Sequence, residues 1–188
     1  ESSGSTVIDV GGTEQLSSYY LLSKLLGKKS LFIYDLDSIF FSSQLRINAE
    51  SSDEINQFLI SLGIGSNFKD IWGLLSSTLE YLKSDLRNKG SVYKAYIEQL
   101  DGDKKAKKES YALLVYLKYF RDEAGAKSTN PSKIDLLFKQ LENVIKAFEE
   151  IGVYILKNGA MENYFPSYDG NKFNIDDNKK RDCLNAEI

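Results

Sequence analysis

The sequence predicts an α/β protein in which a small parallel sheet is interrupted by a large all-helical insertion. Two short apolar runs, residues 30–38 and 152–156, have the β-branched and aromatic composition of buried strands. The first ends in two carboxylates, and the second is followed at once by a lysine. Between them, residues 40–150 carry apolar side chains at helical spacing. The predicted organisation is an α/β core at 1–39 and 151–170, a helical insertion at 40–150 and a polar C-terminal tail at 171–188.

The first of these strands ends in Asp35 and Asp37, two carboxylates separated by one residue. Because side chains alternate along a strand, we expect both to share one face at its carboxyl end, the edge where ligands bind in open α/β sheets. A divalent cation would offset the repulsion between them. Aspartates at a strand exit also bond to the following backbone amides, so a plain turn is the alternative.

A further strand is predicted at residues 6–10, followed by Gly11 and Gly12 and a helix over residues 13–26. Strand, turn, helix and strand in about thirty residues form a right-handed βαβ unit with parallel strands. Gly11 and Gly12 would then face Asp35 as a backbone loop able to approach phosphate. The pair lacks the longer glycine patterns of nucleotide-binding loops, which favours a plain tight turn.

Five helices are predicted in the insertion from their apolar periodicity. Asp53 is expected to cap the first, and Pro131 to open the last. The fourth, an apolar segment at residues 111–120, is expected to break at Gly125.

Lys157 directly follows the strand at the end of the insertion, and Glu162 lies five residues further along the chain. If this strand joins the same parallel sheet, Lys157 lies beside Asp35 and Asp37, and a turn at Gly159 folds Glu162 over the same edge. We therefore expect the three carboxylates and the lysine ammonium to converge.

Composition excludes several classes of function. The chain has no histidine and one cysteine, Cys183, which rules out Ser-His-Asp catalysis, an internal disulfide and a structural zinc site. A net charge of −3 gives no overall field for nucleic acid. With no apolar run long enough for a membrane span and no signal peptide at its start, the chain is expected to be cytoplasmic. It begins without methionine, so we expect it to be a fragment of a longer protein.

Three segments together resemble the Toprim domain of the OLD (overcoming lysogenization defect) nuclease family. They are residues 7–12, the strand at 31–37 with its Asp-x-Asp, and residues 154–164 with Lys157 and Glu162. A helical insertion between the second and third segments is also a habit of that family. The resemblance implies a parallel, Rossmann-like Toprim sheet.

The resemblance also implies a function. It would make the chain part of a DNA endonuclease used in phage defence, in which Asp35, Asp37 and Glu162 hold Mg²⁺ or Mn²⁺ and Asp35 and Lys157 are catalytic. The glutamate strand that normally begins a Toprim domain does not precede Glu1. The resemblance therefore implies one of two things. Either the chain is a C-terminal piece of a longer protein whose upstream ATPase or other N-terminal region holds that strand, or the domain is incomplete and inactive. A homo-oligomer is compatible with the resemblance.

Two other functions stay open at this stage. A non-catalytic protein-interaction domain is favoured by the missing glutamate strand and the large insertion. A haloacid-dehalogenase-like phosphatase would use Asp35 as phosphoryl acceptor and Asp37 as acid and base. That family needs a threonine or valine at Ile39 and a later acidic pair after a strand, and Asp176 and Asp177 lie in the polar tail.

Overall fold

Helices make up most of the chain in the computed structural model, which describes residues 13–98 and 105–159. In chain order the elements are α1 (Thr13–Leu25), β1 (Phe32–Asp35), α2 (Ser38–Phe41), α3 (Ser43–Glu50), α4 (Asp53–Leu62), α5 (Phe68–Leu86), α6 (Ser91–Glu98), α7 (Lys105–Tyr119), α8 (Arg121–Lys127), α9 (Ser132–Glu149) and β2 (Val153–Leu156). None of the described helices is long and apolar enough to cross a membrane.

The two strands pair in parallel although more than a hundred residues separate them in the chain. Phe32 lies opposite Val153, and Asp35 lies opposite Leu156. This arrangement confirms the predicted parallel pairing of these strands. The strand predicted at residues 6–10 lies outside the described residues.

Only one face of the strand pair is covered by helices of the described chain. Phe32 and Tyr34 of β1 and Val153 and Ile155 of β2 are buried on that face, and α9 packs on β2. The alternate residues Ile33 and Tyr154 remain 52% and 43% exposed. Because parallel sheets ordinarily bury both faces, this exposed side is an unusual surface.

The longest helices, α5 and α9, form the main helix pair behind the sheet. Their buried residues recur every three or four positions, as a helix with one apolar face requires. In α9 these include Leu137, Leu141, Val144 and Phe148, and the ring of Phe148 packs against that of Phe68 in α5 with centroids 5.2 Å apart. The same hydrophobic cluster continues into β1 and β2, so sheet and helices share one core.

Two predicted helix boundaries are wrong. Ser52, not Asp53, caps α4, because its hydroxyl accepts a hydrogen bond from the Ile55 amide. The apolar helix ends at Tyr119 rather than at Gly125, which lies inside the separate helix α8. Phe120 has a non-helical backbone (φ −125°, ψ 38°) and makes the break.

Asp85, in the last turn of α5, anchors the loop that leads into α9. Its carboxylate accepts hydrogen bonds from the Ser128 hydroxyl (2.7 Å) and from the Thr129 amide (2.9 Å) and hydroxyl (2.8 Å), and it pairs with Lys89. The side chain is only 6% exposed. Burial by itself raises the pKa of Asp85, but these donors outweigh burial and hold the pKa well below its usual range.

Replacing Asp85 with asparagine is expected to lower the free energy of unfolding at pH 7 by about 2 kcal/mol, because a neutral amide accepts these hydrogen bonds less strongly. Urea unfolding measures the change, and Asp122→Asn in the exposed first turn of α8 is the control. The pKa is lower in the folded state, so the unfolded chain takes up the proton first as the pH falls. The difference in the free energy of unfolding between the variant and wild type should therefore have its full size above pH ~4 and shrink at lower pH. A difference that stays constant from pH 7 to pH 3 would contradict this role.

Candidate functional site

The carboxyl ends of β1 and β2 meet at one edge of the strand pair. The pairing continues one step past the strands, since the Leu36 amide donates to the Gly159 carbonyl at 3.0 Å. Gly159 has a φ of 111°, which L-residues rarely adopt, and its own amide donates to the Leu156 carbonyl at 3.1 Å. The predicted turn at Gly159 is therefore present, and it holds the segment after β2 against the segment after β1.

Asp35 is the last residue of β1 and lies in register with Leu156. Strand alternation puts it on the same face as Ile33 and Tyr154, the face that the described helices leave open. Its side chain is half-buried. The carboxylate therefore belongs to the open side of the carboxyl edge.

Asp37 does not continue the strand. It occupies the position before α2 with a helical backbone (φ −64°, ψ −25°), and its side chain does not cap that helix. The expectation that Asp35 and Asp37 share a strand face is therefore wrong, because the chain turns into α2 directly after Leu36. The two carboxylates still flank one tight turn at the carboxyl end of β1.

Lys157 follows β2, but its side chain lies on the other side of the strand pair from Asp35. Its ammonium is 3.9 Å from the Glu149 carboxylate of α9, the helix that covers the buried face. The register explains this position: Asp35 pairs with Leu156, so the residue directly after Leu156 points to the opposite face. The predicted convergence of Lys157 with Asp35 is wrong, although both residues lie at the predicted edge.

Lys118 is a site residue that the sequence reasoning missed. Its ammonium donates to the Lys157 carbonyl at 3.2 Å and to the Asn158 side-chain oxygen at 2.8 Å, so α7 clamps the turn after β2. The signal was present in the sequence. Lys118 is the only charged residue in the apolar segment at residues 111–120.

The remaining candidates lie outside the described residues: Gly11 and Gly12, and Glu162. Within residues 13–98 and 105–159, no three or more Asp, Glu, His or Cys side chains are grouped so as to hold a metal ion.

Comparison with known proteins gives no match. No family model matches the chain, and no curated protein or solved structure is significantly similar to it.

Replacing Lys118 with methionine is expected to loosen the turn after β2, because the chain keeps most of its apolar stem and loses its two hydrogen bonds to that turn. Hydrogen exchange of the Leu36 and Gly159 amides should become several-fold faster. Lys139→Met on the exposed side of α9 is the matched control and should leave both amides unchanged. Equal protection of these amides in Lys118→Met and wild type would show that the clamp has no effect on the turn.

Proposed function

We propose that this chain carries part of the metal site of a Toprim-like DNA endonuclease domain of the OLD family. The main support for the proposal is the position of two aspartates. Two carboxylates, Asp35 and Asp37, flank the turn at the carboxyl end of a strand that is paired in parallel with its predicted neighbour. Ligands bind at this edge in open α/β sheets.

The donor set fits Mg²⁺ or Mn²⁺. Mg²⁺ commonly takes one or two protein carboxylates and fills its other positions with water and substrate phosphate oxygens. Asp35 and Asp37 can supply those carboxylates, and Glu162 is the proposed third ligand. When bound, the metal supplies an activated water and neutralises charge on the phosphodiester.

The residues of the chain have separate roles in this proposal. Asp35 is fixed by the end of β1, and Asp37 by the start of α2, so the intervening turn sets the distance between their oxygen atoms. The open face beside them, with Ile33 and Tyr154, leaves a path for a large substrate such as DNA. Lys157 has no catalytic role in the proposed site, because its ammonium extends along α9 on the covered face.

A protein-interaction domain is the second candidate, and exposed apolar surface favours it. Leu31 is strongly exposed just before β1, two residues from the exposed Ile33, and Leu25 at the end of α1 is 84% exposed. Large apolar side chains grouped on a surface commonly mark a contact with another protein. A partner at this face and a metal at the carboxyl edge are compatible with each other.

Titration calorimetry with Mn²⁺ tests the proposed metal site. The wild-type chain is expected to bind Mn²⁺, and Asp37→Asn is expected to weaken binding at least tenfold, because a neutral amide replaces one of the two proposed ligand carboxylates. Circular dichroism in chelator should show that the variant is folded. Asp122→Asn, which removes an exposed carboxylate elsewhere, should bind like wild type.

The two candidates give different results in this titration. A protein that serves only as an interaction domain should show no Mn²⁺ binding that depends on Asp35 or Asp37. Equal Mn²⁺ affinity in wild type and Asp37→Asn would therefore end the proposal of a Toprim-like metal site.

A further inference from the structure

Helix α1 is attached to the rest of the described structure by one side only. It packs on α3 and on β1. Tyr20 is buried on this inner side, and its ring meets that of Phe32 edge-on with centroids 5.6 Å apart. Lys24 lies 3.6 Å from Glu54, which ties the end of α1 to the start of α4.

The outer side of the same helix is also apolar. Tyr19, Leu22, Leu25 and Leu26 are between 46% and 84% exposed. At 3.6 residues per turn these four lie within about 60° of Leu22, whereas Tyr20 lies about 160° away from it. We call these four residues the outer stripe. A helix that is apolar on opposite sides is ordinarily buried on both, so the outer stripe is a surface suited to a partner.

The spacing of the outer stripe makes it complementary to itself. Apolar residues lie three positions before Leu22 and three and four positions after it. Two copies of α1 that cross at Leu22 in opposite directions place Tyr19 of one copy against the partner's Leu25 and Leu26. A symmetric contact of this kind uses each residue pair twice. A second copy of this chain therefore covers every member of the outer stripe.

Charge favours the antiparallel arrangement over the parallel one. None of the four residues of the outer stripe is charged, but the exposed Lys28 and Lys29 follow the end of α1. In a parallel pair these lysines would lie beside their own counterparts, and like charges oppose such a contact. In an antiparallel pair centred on Leu22 they lie roughly 20 Å apart, beyond the screening length of about 8 Å at physiological ionic strength.

We propose that the outer stripe is the contact surface of a symmetric homodimer, in which α1 of two copies packs antiparallel near Leu22. The exposed fractions correspond to about 450 Å² of apolar surface per copy, so with flanking atoms the pair buries about 1,000 Å², at the low end of specific interfaces. The dimer is therefore weak. It does not depend on the proposed metal site, because neither Asp35 nor Asp37 takes part in it.

Sedimentation velocity of the 188-residue chain tests the dimer. Between about 1 and 500 µM the chain should pass from monomer to dimer with a Kd of about 10–100 µM. Leu22→Lys should weaken the dimer at least tenfold, because it places two ammonium groups near the two-fold axis. Leu74→Lys replaces a similarly exposed leucine on α5 and should dimerise like wild type. Circular dichroism checks that both variants are folded.

Cross-linking tests the direction of the helices. In a Cys183→Ser background, a bismaleimide with a reach of about 10 Å should join two copies through Leu22→Cys, because packed helices lie about 8–10 Å apart. It should not join them through Lys29→Cys, where the antiparallel pair separates the two thiols by roughly 20 Å. A parallel pair would be joined at both positions.

A chain that remains monomeric at about 500 µM overturns the proposal. It is also overturned by a folded Leu22→Lys variant that dimerises like wild type, or by equal cross-linking at positions 22 and 29. Leu22-dependent binding of a monomeric chain to phosphatidylserine vesicles would overturn it too, since the outer stripe would then contact lipid. Cross-linking introduces no charge, so the test holds even if Leu22→Lys does not fold.

Discussion

The parallel pairing of β1 and β2 is the interaction on which the rest of this structure depends. Each strand has only four residues, and two short strands alone are marginal in water. Their stability comes from the covered face, where Phe32, Tyr34, Val153 and Ile155 join the same hydrophobic core as α5 and α9. The helical segment is therefore more than an insertion beside a sheet, since it supplies the surface on which the strand pair forms.

The register of that pairing decides which groups can act together. Because Asp35 lies opposite Leu156, the side chain after β2 points away from Asp35 and toward α9. The parallel orientation of the two strands is as the sequence predicts, and the position of Lys157 is not. One edge of the structure thus holds two chemically different places: the Asp35 carboxylate on the open side, and lysines beside an apolar cavity on the covered side.

The sequence predicted what depends on local patterns. The strand at Phe32–Asp35, the long helix that begins after Pro131 and the turn at Gly159 each followed from residue type and spacing. What it could not provide was the register, which is set by the packing of α9 and the turn at Gly152, where φ is 75°. A strand edge can be located from sequence, but a change of one residue in register moves a side chain to the other face. The sequence also did not locate the helix boundaries at Ser52 and Phe120, because the neighbouring residues are of types that are equally compatible with a helix boundary.

Disulfide trapping measures the register most directly. In a Cys183→Ser background, Asp35→Cys paired with Leu156→Cys places two thiols on the same face of neighbouring strands, with Cα atoms about 5 Å apart and within reach of a disulfide. Asp35→Cys paired with Lys157→Cys places them on opposite faces. The structure requires rapid oxidation of the first pair under mild conditions and little oxidation of the second. Preferential cross-linking of positions 35 and 157 would contradict the register, and with it the separation of Asp35 from Lys157.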